Sequence, residues 1–208
     1  MFYVYMLVCS FLLSSCVPLE VTEEKSVTVQ PKISEEEQPD KLFIDNFNTG
    51  IKPNMLGGDF GAWDKDPNDK TQFCKEVFDP KVKVSTEGFS IKLTYDVDSP
   101  NPAYNGFWMK LKNVDFRPYK KLCFFVKGNK QIGFTDKFKI ELKNTKGEVG
   151  QAIVMDITAK WQEKVIPFTN FCGISDFSEM TEFVIVFEDN MSDPKVGIIY
   201  MDDIYVTK

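Results

Sequence analysis

From Lys41 onward the chain reads as a succession of short β-runs cut by turn signals. The pattern predicts strands at 42–47, 60–66, 73–78, 89–97, 106–112, 121–128, 137–144, 150–157, 161–168, 182–189 and 196–206. Asn48-Thr49-Gly50, Gly57-Gly58, Asp98-Ser99-Pro100, Lys127-Gly128-Asn129 and Thr145-Lys146-Gly147 punctuate them. A single helical turn is predicted, Ser175 to Glu182, with Ser175 or Asp176 as its cap. Many short strands without βαβ alternation mean an all-β antiparallel sandwich or barrel, one domain over 41–208 with no internal repeat.

Three strands alternate cleanly enough to assign their faces. Phe107, Met109 and Leu111 oppose Trp108, Lys110 and Lys112; Leu122, Phe124 and Val126 oppose Cys123, Phe125 and Lys127; Phe138, Ile140 and Leu142 oppose Lys139, Glu141 and Lys143. The apolar sets are core. If the three strands share a sheet, its outer surface carries Trp108, Phe125, Lys110, Lys127, Lys139 and Glu141. Sugar-binding faces have this composition, because aromatic rings stack on the C–H faces of pyranoses and nearby polar groups bond the hydroxyls. An ordinary solvated sheet face has it too.

Charge and residue usage exclude several classes. The net charge of −6 argues against a nucleic-acid surface, and Arg117 is the only arginine. The absence of histidine removes the commonest general base and metal ligand, so a metal here would be a hard, oxygen-liganded cation. Acid pairs such as Glu141 with Glu188 or Asp202 with Asp203 are hydrolase-like candidates, but two such groups must flank one cleft and strand neighbours point apart. The expectation is therefore a non-enzyme. Asp64, Asp66 and Asp69 have oxygen-ligand spacing without the glycine and distal glutamate of an EF-hand, and read as a solvated loop.

The first residues, MFYVYMLVCSFLLSSC, are apolar, uncharged and too short to span a membrane. Leu13 to Cys16 resembles the bacterial lipobox, although no Lys or Arg opens the segment. This implies a signal peptide over 1–16, lipidation of Cys16 and an extracytoplasmic, membrane-anchored place in the bacterial cell envelope. Residues 17–40 are Pro- and Glu-rich without aromatics and read as a disordered acidic tether. Cys74, Cys123 and Cys172 would then remain, an odd set, with Cys123 expected as a buried thiol.

The runs FIDNFNTGIKPNMLGGDFGAW, NGFWMKLKNVDFRPYKKLCFFVKG, FKIELKN, WQEKVIPFTNF, ISDFSEMTEFVIVFE and IYMDDIYV resemble, in that order, the galactose-binding-like jelly-roll sandwiches of family-11 carbohydrate-binding modules and of the complex I intermediate-associated protein 30 family. The first resemblance implies a binding module for a polysaccharide or glycan. Its face here would hold Trp108, Phe125, Lys127, Glu141 and Lys110, with Trp63 and Tyr104 from the rim. The second implies a protein-interaction or assembly factor on the same sandwich. The resemblance also implies a structural calcium between the first and last strands, on Asp45 with Asp202 or Asp203. The other reading is that one of the adjacent aspartates faces solvent while its neighbour bonds loop N–H groups or a lysine.

Overall fold

The computed structural model describes residues 39–208; the proposed signal segment, Cys16 and all but the end of the proposed tether lie outside them. The described residues form eleven strands: β1 (Lys41–Asp45), β2 (Phe60–Asp64), β3 (Phe73–Asp79), β4 (Ser90–Asp96), β5 (Tyr104–Val114), β6 (Lys121–Gly128), β7 (Phe138–Asn144), β8 (Val149–Val154), β9 (Gln162–Pro167), β10 (Met180–Glu188) and β11 (Val196–Thr207). Every predicted strand is present. The predicted helical turn over Ser175–Glu182 is not; the helical element among the described residues is a 3-10 turn, Phe168–Asn170. Tertiary partners take the groups a helix would have used. Glu148 accepts the N–H groups of Ser175 and Asp176, and Asn144 and Phe116 donate to the carbonyls of Asp176 and Phe177.

The strands make two antiparallel sheets. One has the order β3-β4-β11-β6-β9, with β1 also paired to β11; the other runs β2-β5-β10-β7-β8. This is the jelly-roll sandwich expected for an all-β chain with one face of each strand apolar. Phe107, Met109 and Leu111, Leu122, Phe124 and Val126, and Phe138, Ile140 and Leu142 are all buried between the sheets, as their alternation requires. Each such ring or branched chain contributes roughly 1.5–3 kcal/mol by leaving water. Tyr95 of β4 stacks on Phe187 of β10 with centroids 4.2 Å apart, and its hydroxyl donates to the Pro194 carbonyl and accepts the Thr135 N–H at 2.7 Å. A core phenol thereby ties two loops to both sheets.

Sheet membership corrects one premise of the sequence reading. β6 lies in the sheet opposite β5 and β7. Alternation says which side chains face the core, but not which of two sheets a strand joins. Phe125 and Lys127 therefore lie on the outer face of the other sheet, in register with Asp202 and Tyr200 of β11, and do not share a surface with Trp108, Lys110 and Glu141.

Candidate functional site

The outer face of the five-stranded sheet is built in transverse rows. Gly61, Trp108, Val184, Glu141 and Gln151 follow one another across β2, β5, β10, β7 and β8. The next row is Trp63, Gly106, Val186, Lys139 and Ile153. Each tryptophan thus has a glycine beside it on the neighbouring strand. Trp108 lies on Gly61, with three ring atoms 3.5–3.6 Å from where a β-carbon would stand. Trp63 crosses back towards Gly106, where its Nε1 would stand 3.2 Å from a β-carbon, but the Ile185 carbonyl oxygen of β10, much closer to the same point, is what first requires glycine there. Glycine in a strand interior weakens the strand; at Gly61 it lets an indole approach the sheet. Tyr104, at the start of β5, meets Trp63 edge-on at 5.9 Å, so the aromatic line runs along β2 and β5. Trp63 and Tyr104 belong to strands, not to rim loops.

Val184 and Val186 of β10 are buried on this outer side, walled by Trp108 and Trp63. Beyond them runs a strip of paired charges. Glu182 lies between Lys110 and Lys143, the latter 3.0 Å away. Lys139 lies between Glu188 and Glu141, the latter 3.3 Å away. Burial raises the Glu182 carboxyl, but Lys110 and Lys143 overcome it and leave the group below its usual range. Burial lowers Lys139, but Glu188 and Glu141 outweigh that and hold the ammonium charged. Gln151 completes the strip by donating to Glu141 at 3.1 Å. Trp63, Trp108, Val184, Glu141, Lys143 and Glu182 line a cavity of about 260 Å³ between the rings and the charges.

The structure brings Trp63, Tyr104, Trp108, Lys110 and Glu141 onto one face. Sequence reasoning missed the two glycines, Val184 and Glu182, and put Lys143 on the outward side of its strand without naming it among the site residues. β10 reads as a uniformly apolar run because both its faces are covered. The glutamates flanking that run, Glu182 and Glu188, were the available signal. The pair Glu141 and Glu188, the one hydrolase-like pair on this face, is bridged by Lys139 into a salt-bridge strip.

The adjacent aspartates of β11 sit at an irregularity. The register shifts between Asp202 and Tyr205, and Asp203 has φ 46°. A bulge of this kind breaks strict alternation and re-aims side chains. Asp202 is 2% exposed and accepts the N–H groups of Val84 and Asp203, each at 2.9 Å. Asp45, at the end of β1, is 4% exposed and accepts the Phe47 N–H at 2.9 Å. Burial pushes both carboxyls up to about 6, against the lowering effect of those N–H groups, and the nearby charges of Asp203 and Asp45 raise Asp202 further. Asp203 is half-buried; burial raises it and Lys41 partly offsets this. Among the described residues no group of at least three Asp, Glu, Cys or His side chains is arranged around a metal position. Asp45 and Asp202 form a pair, and neither makes an ion pair with a lysine or arginine among the described residues.

Asp69, in the loop after β2, is surrounded by Thr71, Gln72 and Asn101 as hydrogen-bond donors, which hold its carboxyl well below the usual range. Cys74, Cys123 and Cys172 are free, the first two buried.

The two-sheet jelly roll is a fold shared with carbohydrate-binding modules, which are non-catalytic binding domains. The chain belongs to the carbohydrate-binding domain 30 family, whose profile matches residues 55–208. Among solved structures it is similar to the family 11 carbohydrate-binding module of the cellulosomal cellulase Lic26A-Cel5E of Clostridium thermocellum, at 16% identity and TM-score 0.57, over 82% of this chain and 96% of that one. The Clostridium thermocellum family 11 module in complex with a β-1,3-1,4-mixed-linked tetrasaccharide matches at 16% identity and TM-score 0.57, over 80% and 95% of the two chains. A family 30 carbohydrate-binding module matches at 18% identity and TM-score 0.50, over 64% and 73%. No curated protein sequence matches.

Proposed function

We propose that the chain captures a neutral, linear β-glucan on the outer face of its five-stranded sheet, outside the cell, held to the bacterial envelope by a lipid on Cys16. The observation that carries the ligand reading is the pair of indoles, Trp63 and Trp108, laid over glycines beside a strip of compensated charge. Pyranose rings stack on such surfaces through their C–H faces. The lysines and glutamates of the strip are matched to one another, so it offers hydrogen bonds to hydroxyls without a net charge for an acidic polymer. A similar fold carries a mixed-linkage tetrasaccharide in the family 11 module, which favours the same class of polymer here. The lipid anchor rests on the resemblance of Leu13 to Cys16 to a lipobox and on the acidic segment that follows.

A structural divalent cation, calcium by donor chemistry, belongs to the same reading. Asp45 and Asp202 supply buried anionic oxygens with no ion-paired cation among the described residues, the surroundings in which a hard cation relieves desolvated carboxylates. It would hold β1 against the β11 bulge, away from the sugar face.

The test is affinity gel electrophoresis against soluble polysaccharides, including mixed-linkage glucan, with Trp108→Ala and Trp63→Ala beside the parent. Truncating a central tryptophan costs about 2 kcal/mol or more, roughly thirtyfold in affinity. Retardation by a neutral glucan that either variant loses is the expected result. No retardation by any polysaccharide refutes the reading and favours a protein partner.

A further inference from the structure

One end of the sandwich carries a second concavity, a pocket of about 420 Å³ lined by the β5–β6 connection, the end of β9 and the approach to β10. Its apolar wall is a set of parallel rings. Phe168 and Phe177 stack at 4.6 Å and 10°, and Phe116 lies behind Phe168 at 6.0 Å and 14°. The Phe116 N–H bonds the Phe177 carbonyl, which fixes the stack. Tyr119 also lines the pocket; it is 2% exposed, and its buried hydroxyl has no hydrogen-bond partner among the described residues. A buried hydroxyl without a partner is costly, and a ligand oxygen would relieve it.

The rim is cationic. Lys120 and Lys121 line it and make no ion pair among the described residues. Arg117 lines it too, with Nε and Nη2 on Asp115. The lining carboxylate, Asp176, is already bound by Lys146 at 2.6 Å. A flat apolar wall, a cationic rim and one buried hydroxyl differ from the sugar face in each respect.

We propose that this pocket binds a small aromatic carboxylate: its ring against Phe177 and the edge of Phe168, its anionic end at Lys120 and Lys121, and Tyr119 donating to a ligand oxygen. The site is independent of the β-glucan reading.

The experiment is an amide-resolved NMR titration of the full chain with 4-hydroxycinnamate, with 4-hydroxycinnamyl alcohol and octanoate as controls. The expected result is saturable shifts at Lys120, Lys121, Phe168 and Phe177 with the aromatic acid. Binding of the alcohol, and binding of the acid by the double variant Lys120→Gln/Lys121→Gln, should be weaker by about tenfold or more, as loss of charged hydrogen bonds implies. The double variant substitutes exposed residues and should keep the parent's retardation by glucan, while Trp108→Ala should keep the parent's response to the acid. No saturable shift at the pocket up to millimolar acid overturns the proposal. So does equal affinity for the alcohol, equal affinity for octanoate, or a glucan oligosaccharide that moves the same amides.

Discussion

Asp45→Asn tests the buried carboxylate pair most directly. Asp45 is 4% exposed, and burial pushes its carboxyl from 3.8 to about 6, the Phe47 N–H opposing the rise. The folded state therefore binds the proton more tightly than the unfolded chain. By linkage, stability is fully present below the unfolded value and is lost as pH rises through the folded one. A rise of about two pH units corresponds to about 3 kcal/mol lost at pH 7.5. Asparagine keeps an oxygen for the Phe47 N–H but carries no charge. In chelator at pH 7.5, Asp45→Asn should be more stable than the parent by up to about 3 kcal/mol, roughly 6 to 12 °C in Tm for a domain of this size. At pH 4 the difference should shrink to about 0.5 kcal/mol. With calcium at a hundred times its dissociation constant the parent should gain about 2.7 kcal/mol at pH 7.5, and the variant should not. Circular-dichroism melts at four pH values, with chelator and with calcium, read all of this. A difference between variant and parent in chelator that stays flat from pH 4 to 7.5 would refute the buried-charge argument. A parent indifferent to calcium would refute the cation.

Further perturbations separate the face from the core. Gly61→Val should lift Trp108, whose ring atoms lie 3.5–3.6 Å from the position of a β-carbon, and weaken glucan retardation several-fold while thermal melts change little; unaltered retardation would mean that the indole does not need its glycine bed. Tyr95→Phe strips the acceptor from the buried Thr135 N–H and should cost about 1–3 kcal/mol by urea denaturation with glucan binding intact. Lys139→Met leaves Glu141 and Glu188 without the ammonium between them and should weaken binding of neutral glucan less than Trp108→Ala does, measured on the same gel; a larger loss would move the centre of the site to the charged strip.

The strand positions were legible because a period of two, broken by glycine, asparagine and proline, is a local property of the chain. The core faces of β5, β6 and β7 followed for the same reason. Partnership of strands is not local. β6 alternates as β5 and β7 do, yet its hydrogen bonds go to β11 and β9, and Phe125 went with it to the other face. Trp108 was legible as an outward aromatic on a charged strand and Trp63 only as a rim residue, and the glycines beside them were not legible as part of the face. Gly61 acquires meaning only when β2 and β5 pair in a register that sets it opposite Trp108, and Gly106 only when β10 brings the Ile185 carbonyl against it. Val184 was hidden by the same logic, since a residue covered by rings on the outer face reads as core. The aspartates of β11 show the opposite case. Two carboxylates in a row cannot both be solvated on a regular strand, so the sequence required a partner for at least one of them. The structure supplies it at a bulge that the sequence did not announce, placing Asp202 against the loop N–H of Val84 and near Asp45. What sequence leaves open is how such a pair is compensated, because a desolvated pair of carboxylates is settled by a proton below pH 6 or by a cation above it, and only the surroundings choose.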